Sequence, residues 1–181
     1  MATQAKIKWV IDPSHSEIGF KAKHLMITTV SGKFEKCSGS VETNGDDLTT
    51  AQISFTAETG SVNTGSADRD AHIRNADFFD AEKFPEMKFT SSKLEKLNSS
   101  EYKLHGHLTI REVTSPVQLN VEFNGIAKDP WGNTKAGFII NGKINRKQWG
   151  LNWNLALEAG GVLVSEEVMI HCEVQLLQSA T

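Results

Sequence analysis

Apolar and polar residues alternate along most of this chain, and that period of two constrains its fold more than any other feature. Ile18, Phe20 and Ala22 are separated by Gly19 and Lys21. Ile53, Phe55 and Ala57 are separated by Ser54 and Thr56. Leu104, Gly106, Leu108 and Ile110 alternate with His105, His107 and Thr109. Val117, Leu119, Val121 and Phe123 alternate with Gln118, Asn120 and Glu122. Val168, Ile170, Cys172, Val174 and Leu176 leave His171, Glu173 and Gln175 on the other face. Met87/Phe89 and Ala136/Phe138/Ile140 follow the same rule. Successive side chains on a strand point to opposite faces, so this period marks strands with one buried and one wet face.

Turn formers punctuate the alternating runs. Asn44-Gly45-Asp46-Asp47, Asn98-Ser99-Ser100 and Asp129-Pro130-Trp131-Gly132-Asn133 each separate two of them. Connections this short make neighbouring strands antiparallel. Eight to ten such strands predict an all-β sandwich or barrel in a single domain spanning 1–181. One stretch, residues 66–80, breaks the rule. Ser66 or Asp68 suits a helix N-cap, and Phe78, Phe79 and Phe84 supply apolar anchors. It reads as one short helix plugging or flanking the sheet.

Composition excludes several partners. The net charge of −3 and pI near 6.1 do not suit a nucleic-acid-binding face. No apolar run is long enough for a membrane span. The first residues contain no apolar stretch of the signal-peptide kind, so a cytoplasmic location is expected, or a periplasmic one if a leader has been removed. Cys37 and Cys172 are expected to be unbonded small hydrophobes.

The inward-facing set is apolar, and small residues recur in it at Ala22, Ala57, Gly106 and Ala136. A barrel of about eight strands either fills with its own side chains or encloses one small ligand. Alternation alone does not separate these outcomes. The run from Val164 to Leu177 is long for a strand, which favours a tall barrel with a deep lumen. Aromatic and flexible side chains suit such a wall, and the candidates are Phe20, Met26, Phe34, Phe55, Phe89, Leu108, Phe138, Trp149 and Trp153.

Polar candidates are few. Arg69, Asp70, His72 and Arg74 stand near Phe78 and Phe79. They form either a polar mouth for a ligand head group or, the reading favoured here, a salt-bridged helix locked onto the barrel with Arg69 on a carboxylate. Lys23-His24 ends a strand and either lines an opening or is simply solvated. By parity His105 and His107 face solvent, so no metal site is expected there. Asp12, His15 and Ser16 have triad residue types but lie too close along an extended chain for triad geometry. Ala159-Gly160-Gly161 reads as a turn and lacks the lysine of a phosphate loop.

Several ordered blocks resemble the YceI-like family of bacterial polyisoprenoid-binding proteins. They are Trp9-Val10-Ile11-Asp12-Pro13-Ser14-His15-Ser16, Lys23-His24-Leu25-Met26-Ile27 and Asn63-Thr64-Gly65. Arg69-Asp70-Ala71-His72-Ile73 and Asp77-Phe78-Phe79-Asp80 through Pro85 follow, then Leu104 to Ile110 and Ile144-Asn145-Arg146. The resemblance runs from Trp9 to about Leu176. It implies an extended eight-stranded antiparallel β-barrel, lipocalin-like, with one short helix. It also implies a long isoprenoid or similar lipid in the lumen, its head near an opening, and a homodimer. Trp149 departs from the phenylalanine frequent there in the family, and with Trp153 it would shorten the cavity if the rings point inward.

Binding, transport or storage of an isoprenoid, quinone or fatty-acid derivative is therefore the expected function, with no cofactor and no catalytic residue. His24 and Cys172 are almost the only ionisable groups that parity turns inward, which argues against the alternative, a hydrolase or isomerase acting on such a lipid. A ligand-free structural or stress-response protein is the third reading.

Overall fold

The alternating runs form eleven strands in a computed structural model that describes residues 4–158 and 160–179. They are β1 (Lys6–Ile11), β2 (Glu17–His24), β3 (Thr28–Phe34), β4 (Cys37–Asn44), β5 (Asp47–Glu58) and β6 (Val62–Asn63). Then come β7 (Glu86–Lys96), β8 (Glu101–Ile110), β9 (Val113–Lys128), β10 (Thr134–Asn145) and β11 (Val164–Gln178). All pairings are antiparallel. β1, β4, β5, β7, β8, β9, β10 and β11 form a ring of eight, which closes where Trp9 pairs with Gln178 and Ile11 with Leu176. Closure leaves this part of the sheet without an edge.

Two of the ring strands are bent. β1 and β2 lie along the same edge of β11, β1 against Leu176–Gln178 and β2 against Val164–Glu173. The break falls at Pro13, which opens a short helical turn at Pro13–His15. Asp12 caps that turn by accepting from the Ser14 N–H at 3.1 Å. β3 and β4 follow the same course against β2 and β1. Beyond the bend β3 finds only the two residues of β6 on its outer side, Lys33 pairing with Asn63 and Phe34 with Val62.

The segment after β6 covers that incomplete side of the barrel. Its helix, α1 (Ala67–Arg74), is capped by the Ser66 hydroxyl and carries Asp68 and Asp70 in its first turn. It ends six residues earlier than the 66–80 stretch suggests. Asn75 turns extended, its N–H bonds the His72 carbonyl, and its side chain accepts from the Asp77 N–H. The chain then folds back, and the Phe79 N–H returns to the Ile73 carbonyl at 3.1 Å. This reversal carries Phe79 edge-on to Phe34, their centroids 5.6 Å apart.

Most of the buried core sits on the inner wall of the barrel. A second cluster of Trp9, Ile11, Ala136 and Leu176 packs near the first residues of β1 and β10. Phe123 stacks on Phe138 beside it, with 5.2 Å between centroids. This end is filled by the protein's own side chains. Ala136 belongs to this packed end, Ala57 is packed in the main core between Cys37 and Met87, and neither borders the lumen.

Candidate functional site

Inside the ring lies a cavity of about 580 Å³, within the usual range of ligand pockets. The wall is built as parity requires. Ile18, Phe20 and Ala22 of β2 face it, as do Val168, Ile170, Cys172, Val174 and Leu176 of β11. Leu104, Leu108 and Ile110 face it from β8, which turns His105 and His107 away. His105 is held on the outside by Glu95 at 3.3 Å. Ala22 borders open space, whereas Gly106 lies beneath the Phe89 ring.

The charged wall groups and the histidines gather at one end. Lys23, His24, Asp68, Arg69, His72 and Arg146 line the cavity where β2 ends and α1 begins. Lys23, Asp68 and Arg69 also reach solvent, so the mouth opens there. Arg69 does not pair with a carboxylate among the described residues. Its Nε and Nη2 donate to the hydroxyl and carbonyl of Thr64, at 2.7 and 2.8 Å. The helix is locked instead by buried Asp70, which accepts from the Thr64 N–H and hydroxyl at 2.8 and 2.6 Å.

An aromatic cluster closes part of the mouth. His72 lies edge-on to Trp153 and to Phe78, with centroids 4.4 and 5.1 Å apart. His72 Nε2 is 2.9 Å from an Asp77 carboxylate oxygen, which fixes the ring. The cluster ties the α1 segment to the loop between β10 and β11.

Arg146 anchors that loop. It is 4% exposed. Its guanidinium donates to the carbonyls of Leu151, Trp153, Val164 and Ser165. Burial pulls its pKa down, and nearby Glu166 partly offsets this. Sequence reasoning gave Arg146 no role. The available signals were its place directly after an alternating strand and its inclusion in the Ile144-Asn145-Arg146 block of the resemblance.

Of the residues expected to meet a ligand, Phe20, His24, Phe34, Phe55, Arg69, His72, Phe78, Phe79, Phe89, Leu108, Phe138 and Trp153 all line the cavity. Two expectations are corrected. Met26 sits at the tip of the β2–β3 turn in a left-handed conformation, 49% exposed. Trp149 is buried to 1% exposure but does not border the lumen. Its indole N–H donates to the Leu108 carbonyl at 2.8 Å, so the ring packs against the strand and does not shorten the cavity. Trp153 does reach the wall.

The triad-like residues come closer than an extended chain would allow, because the turn at Pro13 bends them together. His15 Nδ1 lies 3.0 Å from Asp12 and 3.1 Å from the Ser14 hydroxyl. Both contacts use the same ring nitrogen, so no proton relay runs through the ring. Ser14 and His15 hold the Asp12 carboxyl down at about 2. Ser16 is not part of the group and donates to the Gln175 carbonyl.

This architecture has known counterparts. The model of the YceI-like domain matches residues 9–176. The chain belongs to the YceI-like family. A UPF0312 protein of Staphylococcus aureus strain USA300 is 35% identical over 168 residues, covering 92% of this chain and 95% of the relative. The crystal structure of a Campylobacter jejuni YceI protein superposes with a TM-score of 0.76 at 32% identity, covering 87% of this chain and 90% of that one. A polyisoprenoid binding domain from Saccharophagus degradans, 14% identical, shares the fold at a TM-score of 0.66 over 94% of this chain and 98% of that one. No helix among the described residues of this YceI-like chain is long and apolar enough to cross a membrane.

Cys172 gives a chemical handle on the lumen. Its thiol is buried in the wall, and burial pushes it up to about 11. Only the thiolate attacks a maleimide. In a Cys37→Ser variant, labelling by a small apolar maleimide should be slow at pH 7 and rise about tenfold per pH unit up to pH 10. Fast labelling at pH 7, with a flat pH profile, would contradict the buried position.

Proposed function

We propose that this protein binds one long apolar lipid, an isoprenoid, quinone or fatty-acid derivative, in the barrel lumen as a carrier or store. The observation that carries this reading is the wall itself: a deep apolar cavity whose charged groups are confined to a single mouth. An apolar chain buried there gains about 0.8 kcal/mol per methylene removed from water. A polar head would be left near Lys23, His24 and Arg69. The Saccharophagus domain is described as polyisoprenoid binding, which favours an isoprenoid among the candidates. Carriage needs no nucleophile, and burial keeps the Cys172 thiol protonated near neutral pH.

Native mass spectrometry of freshly purified protein, with organic extraction, tests the reading. A bound lipid of defined mass is expected, or uptake of an added prenyl lipid by protein that emerges empty. Ala22→Trp places an indole in open lumen, so the fold should stand. It should escape the roughly 1–3 kcal/mol that overpacking a filled core costs, while lipid binding is lost. An empty protein that takes up no prenyl lipid, quinone or fatty amide sinks the proposal. Undiminished binding in a folded Ala22→Trp variant would place the ligand elsewhere.

A further inference from the structure

We infer that the mouth of the barrel docks on the surface of a lipid bilayer, inserting Met26, Ile27 and Leu155. The inference begins with the turn between β2 and β3. Its closing bond runs from the Ile27 N–H to the His24 carbonyl at 3.1 Å, and Leu25 and Met26 between them both have positive φ, 54° and 60°. Such a turn suits Asn-Gly, because Cβ crowds the backbone in left-handed conformations. Here it carries Leu-Met, followed by Ile27 at 79% exposure. The chain spends both backbone strain and water-exposed apolar surface at one tip, a combination expected of functional sites.

A second apolar tip is fastened beside the first. The Leu25 N–H donates to the Leu163 carbonyl at 2.8 Å, and the Leu163 N–H donates to the Leu155 carbonyl at 3.0 Å. Leu155 is 55% exposed. Leu163 itself lines the cavity, as do Lys23 and His24 immediately before the turn. The exposed side chains therefore rim the opening. Single exposed apolar residues need no explanation, but a group of them beside an apolar cavity does.

The rim fits a bilayer better than a protein. Its exposed apolar groups, Met26, Ile27 and Leu155, are non-aromatic tips standing off two loops, while the aromatic rings of the mouth, Phe78 and Trp153, are partly buried against His72, unlike the flat, aromatic-rich core of a protein interface. A bilayer admits such tips a few ångströms deep without shape complementarity. Lys23 and Arg69 flank the opening, and neither is ion-paired among the described residues; Arg69 uses Nε and Nη2 on Thr64, which leaves its positive charge unneutralised and, with that of exposed Lys23, attractive to phosphate head groups. Asp68 is the one acidic residue among those lining the cavity, and Asp77 beside it is paired with His72. The inference rests on the lipid-binding reading for its purpose. An apolar chain passing between bilayer and lumen through a docked mouth is never exposed to water.

Flotation of the purified protein with vesicles tests this, using phosphatidylcholine alone and an equal mixture with phosphatidylglycerol. The protein should float with the mixed vesicles. Ile27→Asp and Leu155→Asp should each weaken binding about tenfold or more, by removing an inserted side chain. Trp131→Asp, at an 82% exposed ring in the turn between β9 and β10 at the opposite end, should change nothing. If Ile27→Asp does not fold, Met26→Asn, which tolerates the left-handed backbone, should show the same loss. Absence of flotation overturns the inference, as does equal binding by folded rim variants or an equal loss with Trp131→Asp. A co-purifying lipid in protein that does not float would overturn docking and leave carriage standing. Flotation of protein that neither holds nor takes up lipid would overturn carriage and leave docking standing.

Discussion

Replacing Trp149 by alanine should destabilise the protein by about 3–5 kcal/mol, as large aromatic truncations in packed cores do. The ring is 1% exposed, and its N–H is bonded to the Leu108 carbonyl. The variant would leave a cavity and lose a buried hydrogen bond together. Against a total stability of roughly 5–15 kcal/mol, that loss is large. Trp149→Phe keeps most of the volume and should cost about 0.5–1.5 kcal/mol, the net value of the lost hydrogen bond. Urea unfolding measures both. Lipid content measured on the folded Trp149→Phe protein should match wild type, because the indole does not border the lumen. Altered ligand length or mass in that variant would restore the ring to the cavity wall.

Arg146→Met should be nearly as costly, at about 3 kcal/mol, though it replaces a buried cation with an apolar chain of similar length. Burying an ion pair often gains nothing over an apolar replacement. Arg146 differs because its partners are backbone carbonyls that stay behind. The Val164 carbonyl keeps a second donor in the Asn154 side-chain amide at 2.7 Å, but each acceptor left dry costs about 1–3 kcal/mol, and part of this is recovered when water enters the mouth. With a slope of roughly 2 kcal/mol per molar urea, the midpoint should fall by about 1–2 M. Arg146→Lys keeps the charge but not the planar fork, so it should recover only part of the loss. A further signature is faster amide exchange at Leu25, Leu151 and Leu163, whose loop contacts depend on this anchor. Wild-type exchange in Arg146→Met would show that the loop is held by other contacts.

The wall of the barrel was legible because burial on one face imposes a period of two, and nothing local contradicts it. Ile18, Phe20, Leu104, Leu108, Ile170 and Cys172 fall where alternation puts them. Alternation specifies a face but not a height along the barrel. Ala57 and Ala136 share the inward parity of Ala22, yet they lie in packed core rather than against open lumen. Met26 follows its strand by parity, but the chain has already turned there, and a pair of left-handed residues cannot be read from Leu-Met. The short helix was legible within residues 66–80, but not its end, which the Asn75 side chain sets by competing for the backbone. Arg69 was expected to find a carboxylate, but a threonine five residues earlier satisfied it with no charge at all. Arg146 was hidden because its hydrogen bonds all go to backbone carbonyls, which no residue type announces.

The pairing of β1 with β11 also bears on how the molecule is made. Lys8 accepts from Ser179, and Trp9 lies opposite Gln178, so the barrel is sealed by contacts between opposite ends of the sequence. Folding therefore stays incomplete during synthesis until β11 has emerged. Meanwhile the nascent chain displays the inner faces of β4 to β10, and the outer edges of an open sheet, to everything around it. Long-range closure of this kind is slow and leaves sticky intermediates. The last strand to be made is the one that seals the seam.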